Sequence, residues 1–337
     1  METDMVAAPI SYPTRSQNGP RPINLRKDIP QVLALLNAAF GPSLDAEGRH
    51  MLDRMSLAQQ PWLVLQLRKM VDGMVPGFVW EESGKVVGNV SVLTSSVKGR
   101  YLVANVAVHP DYRRRGIARM LMEEVIDLVE SRGGRQILLQ VKDDNLAAIR
   151  LYEGLEFVDV GHVTSWYASH SKIRLLPIAA STHSPDQVGD LFIRPLRGAE
   201  WHTAWRLDQR SMPPDLNWPE PLPENAYKKS VWRWIENLFA GRKIESWIAE
   251  ERQGSMVGLA TIVSELGRVH SLSLRVHPQW RGQVERPLLA KLLRRLNYLA
   301  RRSVRMDHPD DDRITGELLK EANFVPRRTL AVMRLDV

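Results

Sequence analysis

Apolar and polar residues alternate along the chain with two different periods. Between Ile29 and Phe40 the residues Val32, Leu33, Leu35, Leu36 and Ala39 recur at helical spacing. Gly77 to Glu82 and Lys85 to Val92 are strand-like runs separated by Ser83-Gly84, which predicts a strand, a turn and a strand. Tyr101 to Val108 predicts a further strand, stopped by Pro110. From Ile117 to Ser131, Ile117, Leu121, Val125, Leu128 and Val129 line one face of a helix that Gly133-Gly134 ends. Ile137 to Val141 reads as a buried strand, Asn145 to Glu153 as a short helix closed by Gly154, and Phe157 to Val160 as the start of the last strands. The expected fold class is α/β with mixed (α+β) sheet pairing.

The pattern occurs twice. Val108-His109-Pro110-Asp111-Tyr112-Arg113 is answered about 168 residues on by Val276-His277-Pro278-Gln279-Trp280-Arg281. Val87-Gly88 pairs with Val257-Gly258, Glu81-Glu82 with Glu250-Glu251, and Phe157 with Phe324, in the same order. A period this long is a duplicated domain, not a solenoid. The 337 residues suffice for two domains. The expected organisation is a disordered leader over 1–20, a first copy over 21–178, a small polar linker over 179–189 and a second copy over 190–337. The second copy is expected to open on a strand at Leu191-Phe192-Ile193, and the first on one near Ile23-Asn24-Leu25.

There is no cysteine, which excludes an acyl-cysteine intermediate, thiolate zinc and iron–sulfur chemistry. No metal is expected. Residues 1–20 lack the basic stretch and apolar run of a secretory signal, and a cytoplasmic location without membrane attachment is expected. The net charge of +7 favours anionic partners, a polyphosphate cosubstrate among them.

The segment richest in candidate chemistry is Arg113-Arg114-Arg115-Gly116-Ile117-Ala118-Arg119, between a strand end and a helix start. The first amides of a helix have no internal partner and carry the positive end of its dipole. Gly116 lets the backbone approach a ligand, and Ala118 keeps the next turn small. Such a turn suits a diphosphate.

Val106-Ala107-Val108-His109-Pro110-Asp111-Tyr112-Arg113-Arg114-Arg115-Gly116-Ile117-Ala118 resembles the acyl-CoA-binding motif of the GNAT superfamily of N-acetyltransferases, Gln/Arg-x-x-Gly-x-Gly/Ala. The likeness extends through Val141 to Phe157. It implies two tandem GNAT-like domains and acetyl-CoA as cosubstrate. It implies an acyl group passed directly to a primary amine, on a small molecule or on a protein. Asn145 and Tyr152 would flank the thioester, and a backbone N–H in the stretch Val106-Ala107-Val108 would face the oxyanion. Tyr152 would protonate the leaving thiolate. Asn145 and Tyr152 are two helical turns apart and share a face, about 10 Å along the axis. Spacing alone would equally make Tyr152 a packing residue beside Ala148 and Ile149. The second motif is similar to that of N-terminal alanine acetyltransferases acting on ribosomal proteins, and the tandem arrangement is similar to that of mycothiol synthases.

The general base is left open; Glu81, Glu82 and Asn105 lie on strands near the expected cleft, of which only the two glutamates are titratable and read first as solvated or structural residues, and a water relay serves as well. His109, repeated as His277, reads as a structural strand exit. The second copy is altered where the first is matched: Gly116 becomes Val284, Ala118 becomes Arg286, Asn145 becomes Asp312 and Tyr152 becomes Leu319. Glu285 adds a negative charge there. The second copy is therefore expected to be non-catalytic. It holds seven of the ten tryptophans, for packing or for closing a cleft. Its basic segment Leu288 to Arg302 predicts a helix with one buried face. Two other readings compete: a CoA-binding regulatory sensor without turnover, and a nucleic-acid binder using the arginine run. The second is disfavoured because Tyr112 is the only aromatic residue near that run, so no nucleic-acid partner is expected. Oligomeric state is not legible.

Overall fold

The computed structural model describes residues 18–41, 74–177, 187–188, 190–228 and 230–337. Of the expected leader, residues 1–17 lie outside this set. Its last residues do not: Gly19–Pro22 form strand β1, so regular structure starts before residue 21. The expected linker also lies outside the described residues, except that Gln187–Val188 form a short strand, β7. The first strand precedes Ile23-Asn24-Leu25 because Asn24 turns the chain into a helix: its Oδ1 accepts from the Lys27 amide.

The first half then runs α1 (Leu25–Phe40), β2 (Met74–Glu82), β3 (Lys85–Thr94), β4 (Arg100–Val108), α2 (Ile117–Ser131), β5 (Gln136–Lys142), α3 (Leu146–Glu153) and β6 (Val158–Ala168). The second half runs β8 (Leu191–Pro195), α4 (Trp201–Ser211), α5 (Val231–Phe239), β9 (Arg242–Glu251), β10 (Met256–Glu265), β11 (His270–Val276), α6 (Glu285–Leu296), β12 (Val304–Pro309), α7 (Arg313–Glu321) and β13 (Val325–Asp336). No described helix is long and apolar enough to cross a membrane. The segment expected to be helical to Arg302 ends at Leu296. The chain turns there because buried His270 fastens the loop over residues 300–303, its Nε2 bonded to the Ala300 carbonyl and its amide to the Ser303 carbonyl.

Two compact units result, one comprising the described residues up to Ile137 together with Val337, the other Leu138–Asp336. In the first, β1, β2, β3 and β4 are successive antiparallel neighbours. Val32, Leu35 and Leu36 of α1 pack on Val79, Val86 and Ala107. In the second, the strand order is β5-β13-β6-β12-β11-β10-β9-β8-β7. The core there gathers Ile193, Ala249, Ala260, Leu272, Leu288 and Leu292 from β8 to α6 with Trp166 of β6. The chain's last strand thus lies between β5 and β6, and β6 lies between β13 and β12. Thr164 on β6 bonds Asp310 at 3.0 Å and Thr329 at 2.8 Å, tying the exchanged strands through side chains as well as backbone.

The duplication shows in repeated local chemistry. Arg21 binds Asp28 and Glu81, both at 2.7 Å, in the first copy. Arg194 binds Glu200 and Glu250 in the second. His109 Nδ1 accepts from the Asp111 amide and His277 Nδ1 from the Gln279 amide, each at 3.4 Å. Each histidine caps the short 3-10 turn after it, which matches their reading as strand exits.

Candidate active site

Strand β4 is irregular where the resemblance places the oxyanion donor. Its pairing with β3 slips between Ala107, which faces Asn89, and Ala104, which faces Ser91. Asn105 takes a left-handed φ of 55° within the slip. This is a β-bulge, and asparagine is among the residues that tolerate that backbone region. Asn89, fully buried, donates from Nδ2 to the Asn105 carbonyl at 2.9 Å and so pins the bulge. Val106, Ala107 and Val108 come directly after it; Ala107 is buried and the other two are half-buried.

Past His109 the chain makes the 3-10 turn Pro110–Tyr112 and enters the arginine run. Arg113 reaches back to the Val108 carbonyl at 3.3 Å. Arg114 takes a positive φ of 62° and Gly116 one of 78°. Arg115 lies 4.8 Å from the Tyr112 ring centroid and 3.4 Å from Glu82. Gly116 is the N-cap of α2 and brings no side-chain acceptor to the first amides of the helix. Ile117 is buried against the sheet, while Ala118 and Arg119 are half-buried. Arg119 pairs with Glu123 at 3.8 Å, one turn on. The turn thus offers an uncapped helix N-terminus flanked by exposed Arg113, Arg114 and Arg115, which suits an anion of the size of a diphosphate.

Asn145 and Tyr152 belong to the other compact unit. Asn145 is the N-cap of α3, and its Oδ1 accepts from the Ala148 amide at 3.3 Å. That bond takes its carbonyl oxygen and leaves the amide nitrogen for a ligand. Tyr152 is 5% exposed, with its ring 5.9 Å from that of Phe157. Burial pushes its hydroxyl pKa up to about 12. Packing and chemistry are compatible at this residue. A buried neutral phenol retains its proton at physiological pH, the protonation state that a proton donor needs.

Among the candidate bases, Glu81 is engaged by Arg21 and Glu82 by Arg115, so both carboxylates have structural partners. Asn105 is the bulge residue.

The second copy differs at each of these places. Strand β11 pairs with β10 without any slip, and Ser273, the counterpart of Asn105, sits in regular register opposite Thr261. The turn before α6 contains its own anion. The Glu285 carboxylate, 0% exposed, accepts from the Gly282 amide at 3.0 and 2.8 Å and from the Val284 amide at 3.1 Å. Charge at Glu285 was readable from sequence; its folding back onto these amides was not. Asp312 caps α7 as Asn145 caps α3, but its Oδ2 is bonded to His308 at 2.8 Å. Of the second-copy tryptophans, Trp247 is buried and Trp280 packs against the core, whereas Trp232 is exposed.

Comparisons with family models, curated proteins and solved structures each find GNAT acetyltransferases among what this chain is similar to. Residues 35–157 match the model of the acetyltransferase (GNAT) family, a stretch that runs through both the Gly116 turn and α3. A [ribosomal protein bS18]-alanine N-acetyltransferase from Salmonella typhimurium is 46% identical over 65 residues, 19% of this chain and 44% of that protein. The Escherichia coli K12 enzyme of the same name is 40% identical over 80 residues, 24% of this chain and 53% of that protein. The chain therefore spans about half the length of these curated relatives. Two solved structures match over nearly the whole chain. A GCN5-related N-acetyltransferase from Sphaerobacter thermophilus has a TM-score of 0.58 at 16% identity, covering 94% of this chain and 95% of that one. A tandem GNAT protein from the clavulanic acid biosynthesis pathway has a TM-score of 0.53 at 16% identity, covering 94% and 98%. The fold is thus a tandem of two GNAT-like domains, and the sequence match to the acetyltransferase (GNAT) family model lies in the first of them, over residues 35–157.

Proposed function

We propose that this protein is an acyl-CoA-dependent N-acyltransferase, with acetyl-CoA as donor and its working site in the first copy. The observation that carries this reading is the contrast between two helix mouths. The amides at the start of α2 follow a left-handed glycine with no side-chain cap, whereas those before α6 are occupied by Glu285. Residues 21–178 then form the catalytic copy and 190–337 a copy without turnover.

The donor supplies an acyl group as a thioester. The Gly116 turn, with Arg113, Arg114, Arg115, Ile117, Ala118 and Arg119, holds its diphosphate. The Asn145 amide orients the arm. A neutral primary amine attacks the carbonyl carbon, and a C–N bond forms while the carbonyl oxygen becomes an oxyanion. A backbone N–H of the Val106–Val108 stretch, presented by the bulge, donates to that oxygen. The C–S bond then breaks, and the Tyr152 hydroxyl passes its proton to the sulfur; the amine proton leaves to water, which restores Tyr152. No base is assigned.

The acceptor is a primary amine. The names of the relatives make an N-terminal alanine the first to try. The test is CoA release from acetyl-CoA by the full chain with a panel of amines, including peptides that begin with alanine. Release with a subset of the panel is the expected result. Saturable CoA binding with no release from any amine would replace the enzyme by a CoA-responsive sensor.

A further inference from the structure

We propose that the second unit carries a phosphoryl-binding site separate from the turn at Gly116, which takes a small phosphorylated molecule. An open cavity of about 510 Å³ is lined by Ser169, His170, Ser171, Arg301, Arg302 and Ser303. The lining holds two guanidinium groups, one imidazole and three hydroxyls, and no carboxylate. Planar guanidinium forks and hydroxyls are the donors that match a phosphoryl oxygen set.

The walls are held in place by bonds that leave this chemistry available. His270, 1% exposed, fastens the loop that carries Arg301, Arg302 and Ser303 at both ends. Its Nε2 lies 2.8 Å from the Ala300 carbonyl, and its amide donates to the Ser303 carbonyl at 2.9 Å. Its Nδ1 is in turn 2.8 Å from Ser264 Oγ. Arg302 donates one Nη1 bond to the Glu265 carbonyl. On the facing wall the Lys172 amide closes a turn onto the Ser169 carbonyl at 2.9 Å, and His170 Nε2 lies 3.3 Å from the Leu296 carbonyl. Groups fixed in advance lose less entropy when a ligand arrives.

Arg301 is the telling residue. Several arginines of this unit have carboxylate partners, Arg295 with Glu245, Arg305 with Asp307 and Arg268 with Glu265, whereas Arg302 is bonded to a backbone carbonyl. Arg301 is exposed and joins no ion pair among the described residues. The counter-charge is left to a ligand. The volume falls within the range of small-molecule pockets, ~300–1,000 Å³. No Phe, Tyr or Trp lines the cavity to stack bases, which favours a small molecule over a nucleic-acid strand.

The test is a binding titration of the full chain with inorganic phosphate and with adenosine monophosphate. Gly116→Val is run in parallel to disable the other anion site. Saturable binding should persist in Gly116→Val and weaken about 10-fold or more in Arg301→Glu, the loss expected for a hydrogen bond to a charged group. Arg301→Lys should be intermediate, since it keeps the charge and loses the fork. Ser303→Ala is the second variant if Arg301→Glu lowers the melting temperature. Affinity unchanged in Arg301→Glu and in Ser303→Ala overturns the proposal, as does binding lost only in Gly116→Val. Arg301-dependent binding of a single-stranded RNA oligomer, with none of phosphate or the nucleotide, overturns it in favour of a polymer. A failure here leaves acyl transfer untouched, because none of these residues serves that reaction.

Discussion

Tyr152 and Gly116 show how one residue's environment sets what its replacement does. The Tyr152 hydroxyl, pushed up to about 12 by burial, is neutral throughout the neutral pH range. Tyr152→Phe keeps the ring against Phe157 and removes only the hydroxyl, the proposed acid. Steady-state kinetics should show kcat lowered about 100-fold, within the usual range for a positioned acid, and KM for acyl-CoA nearly unchanged. Full turnover in Tyr152→Phe would reassign the proton donor. The same shift has a stability consequence. An unfolded tyrosine ionises near its ordinary value of 10, whereas the folded one holds its proton to about 12. Its contribution is complete below pH 10 and is lost as the pH rises toward 12. At Gly116 an added Cβ would meet only Met120 Cε, at 3.6 Å, so a substitution there does not clash. Its effect comes through the φ of 78°, which costs an ordinary residue about 1–2 kcal/mol and a β-branched one more. Gly116→Ala should weaken CoA binding moderately and Gly116→Val severely, read by calorimetry.

The repeated elements explain landmarks that sequence could only count. Val87-Gly88 and Val257-Gly258 recur because a helix packs close on each of these strands. A Cβ on Gly88 would meet Ile117 and Leu121 of α2 at 2.9 and 3.0 Å, and one on Gly258 would meet Val284 and Leu288 at 2.5 and 2.6 Å. Gly88→Ala and Gly258→Ala should each destabilise by about 1–3 kcal/mol, the usual cost of overpacking. Thermal melting checks this, and Gly258→Ala should be the worse, its contacts being closer. The α6–β9 contact carries an ion pair, with Arg295 bonding Glu245 at 2.6 and 2.9 Å. That hydrogen bond, with Lys243 helping, holds the Glu245 carboxyl at about 2. Its stabilisation is complete above the ordinary value of 4.5 and is lost as the pH falls toward 2. Arg295→Ala should therefore lower the melting temperature at pH 7 and make little difference at pH 2.

At the scale of the chain, the strand exchange decides what can be separated. β13 lies between β5 and β6, so residues 1–178 expressed alone would leave a slot in a sheet, with unpaired edges on two strands. That fragment should be insoluble or poorly folded, and co-expression with 190–337 should restore a soluble complex; independent folding of the first fragment would contradict this. Titration with CoA should saturate at one molecule per chain, and two would contradict the reading that Glu285 closes the second helix mouth. Much of this was legible beforehand. The duplication, the order of strands and helices and the Arg113–Ala118 turn are local features, written in periodicity and in short motifs whose backbone needs are met within a few residues. The exchange of β6 and β13 was not legible, because a strand's alternation says which face it buries and not which neighbour it hydrogen-bonds. Nor was the Glu285 plug, the pinned bulge at Asn105 or the cavity beneath Arg301. Each of these depends on groups far apart along the chain, or on a side chain turning one way rather than another, and such choices are made only when the sheet closes around them.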